Sequence, residues 1–398
     1  MKINFLLPGI PIGGGPRVVF EYANRLSNRG HSVTVLYPLI PAKMEESWFT
    51  LRPRASQALG AIERLMERGR VDWFDLDVPV QPIPTLAPNL IEYFEGLIPD
   101  ADITIATAWQ TAYAVASLDE TKGEKAYFIQ HYEIWNTWNS DEAWEQVSSL
   151  THNPACYPVE MCEITPKSDK ARREKELVDR TYKLSLSKIT ISSWLSELLQ
   201  TKFDEDVVDR IPNSVNHSTF YPDPTTRSES LSLLLPYRNA PWKGQREARE
   251  LINEFQSADI QINTFGSGDE SDLPEYVDHH SGISDDELRH LYSNSDIFVL
   301  TAWTEGFGLP PLEAMACKSA VIATNVGAVS DYAEDGETAI IVPPRDSEAL
   351  IEAVEELIQD RGKRRRLQKQ GVQSTNEYTW GDATAKYEEA LEEIAISD

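Results

Sequence analysis

Two carboxylates, Glu305 and Glu313, lie eight positions apart in the run TAWTEGFGLPPLEAMACKSAV, residues 301–321. The apolar stretch Asp296–Leu300 before it reads as a buried parallel strand. Leu312–Ala316 reads as a helix, opened by Pro310 and Pro311, where a missing N–H costs little. Between them, Gly306 and Gly308 let backbone approach a ligand closely. The free N–H groups of a helix start, here near Phe307 and Leu309, make an anion site. Taken singly, Glu305 reads as a solvated loop acid. Glu313, placed in the first helical turn, reads singly as a carboxylate favouring the helix dipole. Their shared strand–loop–helix setting favours ligand binding instead.

Arg238 and Lys243 sit five apart after another strand, Leu231–Pro236. Two fixed cations there can neutralise a diphosphate, Arg by a planar fork and Lys as a point charge. The plainer alternative is two ordinary surface cations. His131 follows the strand Lys125–Gln130, and a His at the C-terminal end of a strand in an open α/β sheet points into the ligand crevice. A structural His with satisfied partners is its rival. Tyr132, Trp135, Trp138 and Trp144 come next; they suit either a sugar-binding wall or the packing of a long loop.

The elements that must position these residues form a doubly wound α/β pattern. Strand Ile3–Leu7, a loop with Gly9, Gly13, Gly14 and Gly15, helix Arg17–Arg29 and strand His31–Tyr37 open the first domain. The glycines do not match Gly-x-Gly-x-x-Gly, so no dinucleotide fingerprint is read. Further strands are expected at Val71–Val80, Ala101–Thr107 and Lys188–Ile191, with a helical, basic amphipathic piece near Ala58–Arg68. Such a helix suits either a solvated surface or a membrane face. Asp169–Ser187 reads as a charged helix with a solvated face, and Ser192–Ser193 as caps of the next. Leu231–Pro236 echoes Leu6–Pro8 and opens a second domain. Ser284 with Glu287 is a capping box. Strands Gln261–Gly266, Ala320–Thr324 and Ala339–Pro344 and three late helices complete the pattern. The domains expected are 1–222, 223–375 and a terminal helix, 376–398.

The 301–321 string closely resembles the Glu-x7-Glu signature of retaining glycosyltransferases of family four, whose two Rossmann-like domains form the GT-B fold. The resemblance is strong over 231–342, moderate over 1–37 and 189–220, and thin over 38–187. It extends to Arg238 with Lys243–Gly244 and to Pro212–Asn216. Tyr237, Ser214, Asn216 and Lys318–Ala320 depart from the usual residues. The resemblance implies a cleft between the domains and a last helix returning to the first. It implies that Arg238 and Lys243 hold a donor diphosphate, with the N–H groups around Gly306, Phe307, Gly308 and Leu309. Glu305 would hold sugar hydroxyls, Glu313 the ribose, and His131 the sugar from the opposite domain. Gly14 and Gly15 would lie in a loop facing the cleft. A hexosyl or deoxyhexosyl group would pass from a nucleotide-diphosphate sugar to a glycan or lipid-linked saccharide by front-face displacement, as in polysaccharide biosynthesis, with no metal or cofactor. Two alternatives stay open: a phosphorylase or epimerase of the same fold, and a binding subunit without turnover.

Bulk properties agree with such a protein. The 398 residues allow two or three domains. Acids outnumber bases 64 to 37, a net charge of −27, which disfavours nucleic acid as a ligand. Cys156, Cys162 and Cys317 are too few for a disulfide framework and read as reduced thiols, and His152 with the first two matches no zinc spacing. The N-terminal apolar run is too short for a signal peptide, and no run of about 18 apolar residues spans a membrane. A cytoplasmic protein is expected, with peripheral membrane contact left open.

Overall fold

The computed structural model describes residues 1–40, 43–45, 48–50, 71–87, 90–139, 164–223 and 230–396. The first domain runs β1 (Lys2–Leu6), α1 (Gly14–Asn28), β2 (Ser32–Pro38), a small hairpin β3 (Lys43–Glu45) and β4 (Trp48–Thr50), β5 (Val80–Ile83), β6 (Ile103–Ala106), α2 (Trp109–Ala116), β7 (Glu124–Ile129), the short α3 (Trp135–Trp138), α4 (Asp169–Thr181), β8 (Ser187–Thr190), α5 (Ser193–Leu198) and β9 (Asp209–Arg210). The second continues with β10 (Leu231–Pro236), α6 (Gln245–Glu254), β11 (Ile260–Phe265), β12 (Val277–His280), α7 (Asp285–Asn294), β13 (Ile297–Leu300), α8 (Leu309–Ala316), β14 (Ala320–Thr324), α9 (Val329–Tyr332), β15 (Ile340–Val342), α10 (Ser347–Gln359), α11 (Arg361–Thr375) and α12 (Trp380–Ile396).

Both main sheets are parallel, in the orders β5-β2-β1-β6-β7-β8-β9 and β12-β11-β10-β13-β14-β15. Continuous apolar runs make this possible. β6, β13 and β14 are buried along their whole length, as strands covered on both faces must be. In each sheet the order reverses beside the first strand, between β1 and β6 and between β10 and β13. Crevices for ligands open at such switch points, beyond the strands' C-terminal ends. The loops after β10 and β13 hold Arg238, Lys243 and Glu305.

The terminal helix α12 packs on the first domain. Tyr387 stacks on Tyr22 with centroids 4.3 Å apart, and Trp380 meets Tyr22 edge-on at 5.3 Å. Such aromatic pairs are worth roughly 0.5–1.5 kcal/mol beyond burial. The two passages of chain between domains touch: Val215 bridges Thr379, and the Val215 N–H donates to Tyr378 O at 3.2 Å. A second tie is polar. Asp331 of α9 accepts from the backbone N–H of Ser193 at 2.8 Å and also takes the Ser193 hydroxyl. The N-terminus of α5 is therefore capped from the other domain, and not by Ser192, whose side chain makes no capping bond.

Three other expectations are corrected. Val71–Pro79 is irregular, and only Val80–Ile83 forms the edge strand, where Pro82 is tolerated because no outer strand pairs with it among the described residues. The charged helix stops at Thr181, and Glu174 on it is buried, accepting from Asn136 N at 2.6 Å and Asn136 Nδ2 at 2.7 Å. Helix α8 starts at Leu309, so Glu313 lies beyond its first turn and the dipole reading of that residue does not apply. The Ala58–Arg68 piece, Trp144, His152, Cys156 and Cys162 lie outside the described residues.

Candidate active site between the two domains

Backbone packing sets the second-domain wall. After β10 the chain makes a tight turn over Pro241–Lys243 and leaves it through Gly244, whose φ is 73°. A Cβ on Gly244 would lie 1.8 Å from the carbonyl oxygen of Thr301, so only glycine fits against the end of β13. The Trp303 N–H donates to Trp242 O at 2.8 Å, pinning the two loops together. Lys243 Nζ thereby reaches Glu305 Oε1 at 2.8 Å. Burial alone would raise the Glu305 pKa, but Lys243, with Arg238 behind it, holds the carboxyl below its ordinary value.

Three carbonyls of the glycine-bearing loop are engaged. Gly306 O accepts from the Trp194 indole at 2.9 Å, Phe307 O from Ala328 N at 2.9 Å and Gly308 O from the Tyr332 hydroxyl at 2.7 Å. The N–H groups of Gly306, Phe307, Gly308 and Leu309 donate no hydrogen bond among the described residues. Four donors at the head of α8 are left for an anion.

His131 forms the facing wall. The two walls touch where a Cβ on Gly306 would lie 1.9 Å from Gln130 O; that glycine serves the contact between domains. His131 Nδ1 lies 2.9 Å from the Tyr132 carbonyl, which only accepts, so Nδ1 carries the proton. Nε2 is then a bare acceptor; it is buried and has no hydrogen-bond partner among the described residues. Burial first, then the nearby Lys243 charge, pushes the ring pKa down to about 4. The imidazole is neutral at physiological pH. Trp135 packs on it at 4.7 Å and on Trp242 of the second domain at 5.8 Å. Tyr132 and Trp138 are fully buried and pack the loop; of the described aromatics following the His, Trp135 is the one beside the cleft.

Glu313 is buried deeper. Tyr292 donates to its Oε2 at 3.1 Å. Burial raises its pKa, against the charges of Arg17 and Arg238. Lys243 pairs with Glu305, His131 lies against Gly306 beside them, and the charge of Arg238 acts on both glutamates. Gly14 and Gly15 open α1, and Gly15 faces the Gln130 side chain 3.8 Å away. Their place is a helix start next to the domain contact.

Sequence reasoning passed over Arg17 and Glu133. Arg17 donates from Nη1 to Asp285 Oδ1 at 2.8 Å and from Nη2 to the other oxygen, across the two domains. Glu133, two residues past His131, accepts the Trp109 N–H at 2.7 Å; burial raises its pKa and Glu174 adds to the effect. Position after a strand end was the available signal for Glu133. Arg17 offered only its place behind the glycine loop.

Comparison with known proteins fits this geometry. The family model of glycosyl transferases group 1 matches residues 267–374. The D-inositol 3-phosphate glycosyltransferase of Paenarthrobacter aurescens is 29% identical over 132 residues, 32% of either chain. The chain therefore spans about a third of the length of that curated relative. Two solved structures share the fold over the whole length. Sucrose-phosphate synthase from Thermosynechococcus elongatus has a TM-score of 0.69 at 17% identity, covering 100% of both chains. Anabaena Alr3699/HepE in complex with UDP and glucose has 0.67 at 16%, covering 99% of this chain and 100% of that one. The architecture is GT-B. Within that architecture, the stretch similar to the glycosyl transferases group 1 lies in the second domain.

Proposed function

We propose that this chain is a retaining glycosyltransferase that takes a nucleotide-diphosphate sugar in the interdomain cleft and passes the sugar to a glycan or lipid-linked saccharide. The observation carrying this reading is the meeting of His131 from one domain with the Lys243–Glu305 pair from the other, beside Arg238 and the free N–H groups of 306–309. Such chemistry depends above all on charge already in place where the diphosphate leaves, and cations plus amide dipoles supply it without reorganisation. Glu305 then accepts from sugar hydroxyls, Glu313 from ribose hydroxyls, and His131 Nε2 from a sugar hydroxyl on the opposite face.

In the proposed front-face route the bond from the anomeric carbon to the leaving phosphate breaks. The acceptor oxygen bonds that carbon from the same side, and the departing phosphate takes the acceptor's proton. The protein's residues need supply no metal or cofactor for this step. The Anabaena protein of the same fold, solved with UDP and glucose, supports a nucleotide-linked donor by analogy. Among the described residues no helix is long and apolar enough to cross a membrane; a cytoplasmic site of action, with peripheral contact where the acceptor is lipid-linked, belongs to the same proposal.

The test is product analysis. Incubation with a panel of nucleotide sugars and saccharide acceptors should release nucleoside diphosphate and give a product whose anomeric configuration, read by NMR, matches the donor. An inverted product, or donor consumption without transfer, contradicts the reading.

A further inference from the structure

Two indoles meet across the cleft. Trp135 opens the short α3 on the first domain and packs on the His131 ring with centroids 4.7 Å apart. Trp242 belongs to the turn Pro241–Lys243 on the second domain, one position before the lysine that holds Glu305. The two indole rings lie 5.8 Å apart at 33°. That spacing is direct contact and leaves no room for a ring between them, so they make one continuous apolar surface supplied by both domains. Both residues are only partly buried. Their indole N–H groups donate no hydrogen bond among the described residues. The indoles of Trp73, Trp138, Trp194 and Trp303 differ: each donates to a carbonyl or carboxylate oxygen, at 3.2, 3.0, 2.9 and 2.7 Å. Those four are engaged within the fold, whereas Trp135 and Trp242 keep an aromatic surface and a polar edge open.

We propose that Trp135 and Trp242 together form the acceptor subsite, and that the group they take is a pyranose ring stacked by its C–H face on the indoles. This rests on the transfer reading above and deepens it. Front-face displacement puts the acceptor oxygen on the side from which the phosphate departs. Lys243 is the cation assigned to that phosphate, so the acceptor lies against the turn that carries Lys243, and Trp242 is the aromatic residue of that turn. Trp135 extends the same surface to His131, the first-domain residue assigned to the donor sugar. An indole face is the negative side of its quadrupole and attracts the weakly positive C–H groups of a pyranose. The indole N–H only donates, so it suits a ring oxygen or a hydroxyl oxygen. A largely apolar wall with a few polar groups of fixed direction is the common make-up of a small-ligand site. An open-chain polyol carries the same hydroxyls but presents no such face. The subsite therefore selects the ring, and it is complete only while the two domains are in contact.

The test is steady-state transfer by the full chain from the nucleotide sugar that wild type turns over. The pyranose probes are methyl glucoside, methyl galactoside, methyl mannoside and maltose, with sorbitol as the open-chain probe, for wild type, Trp135→Ala, Trp242→Ala and Trp242→Phe. Each alanine variant should raise the KM of the best pyranose probe by about tenfold, with nucleoside diphosphate affinity in calorimetry within about twofold of wild type. Trp242→Phe keeps a ring face and loses the N–H, so its KM should return to within about threefold of wild type. Sorbitol should be a poor acceptor for wild type and indifferent to the substitutions. An unchanged pyranose KM in both alanine variants would overturn the proposal. So would equal losses of acceptor and nucleotide affinity, which would reduce the indoles to a contact between domains, and so would transfer to sorbitol as efficient as to the pyranoses. Failure of wild type to transfer to any probe would instead remove the transfer reading on which the proposal stands.

Discussion

Lys243 and Glu305, 62 positions apart, hold each other at 2.8 Å in the cleft. Their side chains are 20% and 16% exposed, so the pair is shielded but still reachable. The cation assigned to the diphosphate and the anion assigned to the sugar are thus neutralised by one another before any ligand arrives. In the proposed binding mode a donor enters that ion pair, its phosphates facing Lys243 and its hydroxyls facing Glu305.

Glu305→Ala should abolish transfer while leaving nucleoside diphosphate affinity within about threefold of wild type. Removing the partner of a shielded charge should also lower stability by about 1–2 kcal/mol, less than for a fully buried pair. Steady-state turnover, calorimetry and thermal unfolding measure the three effects. Wild-type turnover would remove Glu305 from the site.

Gly244→Ala should be more harmful than its small size suggests. The added methyl meets the Thr301 carbonyl, and the left-handed backbone at Gly244 adds strain of about 1 kcal/mol. Relief of the clash shifts Lys243 away from Glu305. Transfer should fall at least tenfold with donor KM raised, and a crystal structure of the variant should show the pair broken. Unchanged kinetics would show that the turn does not set the site.

How much of this was legible beforehand follows from what a sequence displays. Buried parallel strands are continuous apolar runs, so Leu231–Pro236 and Ala320–Thr324 have the same ends in sequence and structure. The strand–loop–helix frame around Glu305 was legible for the same reason. Pairings across long separations were not: Arg17 and Asp285 are 268 positions apart, and nothing local joins them. Glu174 sits among Lys and Arg residues and looked solvated, because its burial is imposed by Asn136 on another element. Lys318 departs from the usual glycine of the resembled family, yet it adopts the left-handed φ of 72° that glycine serves there, just past the end of α8. The local backbone is kept, and the cost is strain.

That strain gives a stability prediction. Lys318→Gly should raise stability by up to about 1 kcal/mol if relief of the left-handed conformation exceeds the added freedom of the unfolded chain. Tyr387→Phe should be neutral to stabilising by about 1 kcal/mol, because its buried hydroxyl has no hydrogen-bond partner among the described residues while its ring carries the packing of α12. Chemical denaturation measures both. A loss of more than about 2 kcal/mol in Tyr387→Phe would reveal a partner for that hydroxyl.

His131 sets a pH dependence whose sign follows from its depressed pKa. Its ordinary value is 6.5 and its folded value about 4. Between these the unfolded chain binds a proton that the folded chain does not. Stability from this residue is therefore fully present above pH 6.5 and is lost as pH falls towards 4, by about 3 kcal/mol in total. His131→Asn should flatten that part of the stability–pH curve and, by removing the Nε2 acceptor, lower transfer at neutral pH. An unaltered curve in the variant would mean that another group titrates there.

The central claim is that Arg238 and Lys243 grip a diphosphate in the cleft. Thermal unfolding of the full chain with UDP, GDP, ADP and the corresponding nucleosides tests it most directly. At least one diphosphate should raise the wild-type Tm by several degrees, and the double variant Arg238→Ala, Lys243→Ala should lose that rise while responding to the nucleoside as wild type does. No stabilisation of wild type by any diphosphate, or an equal rise in the double variant, would contradict it.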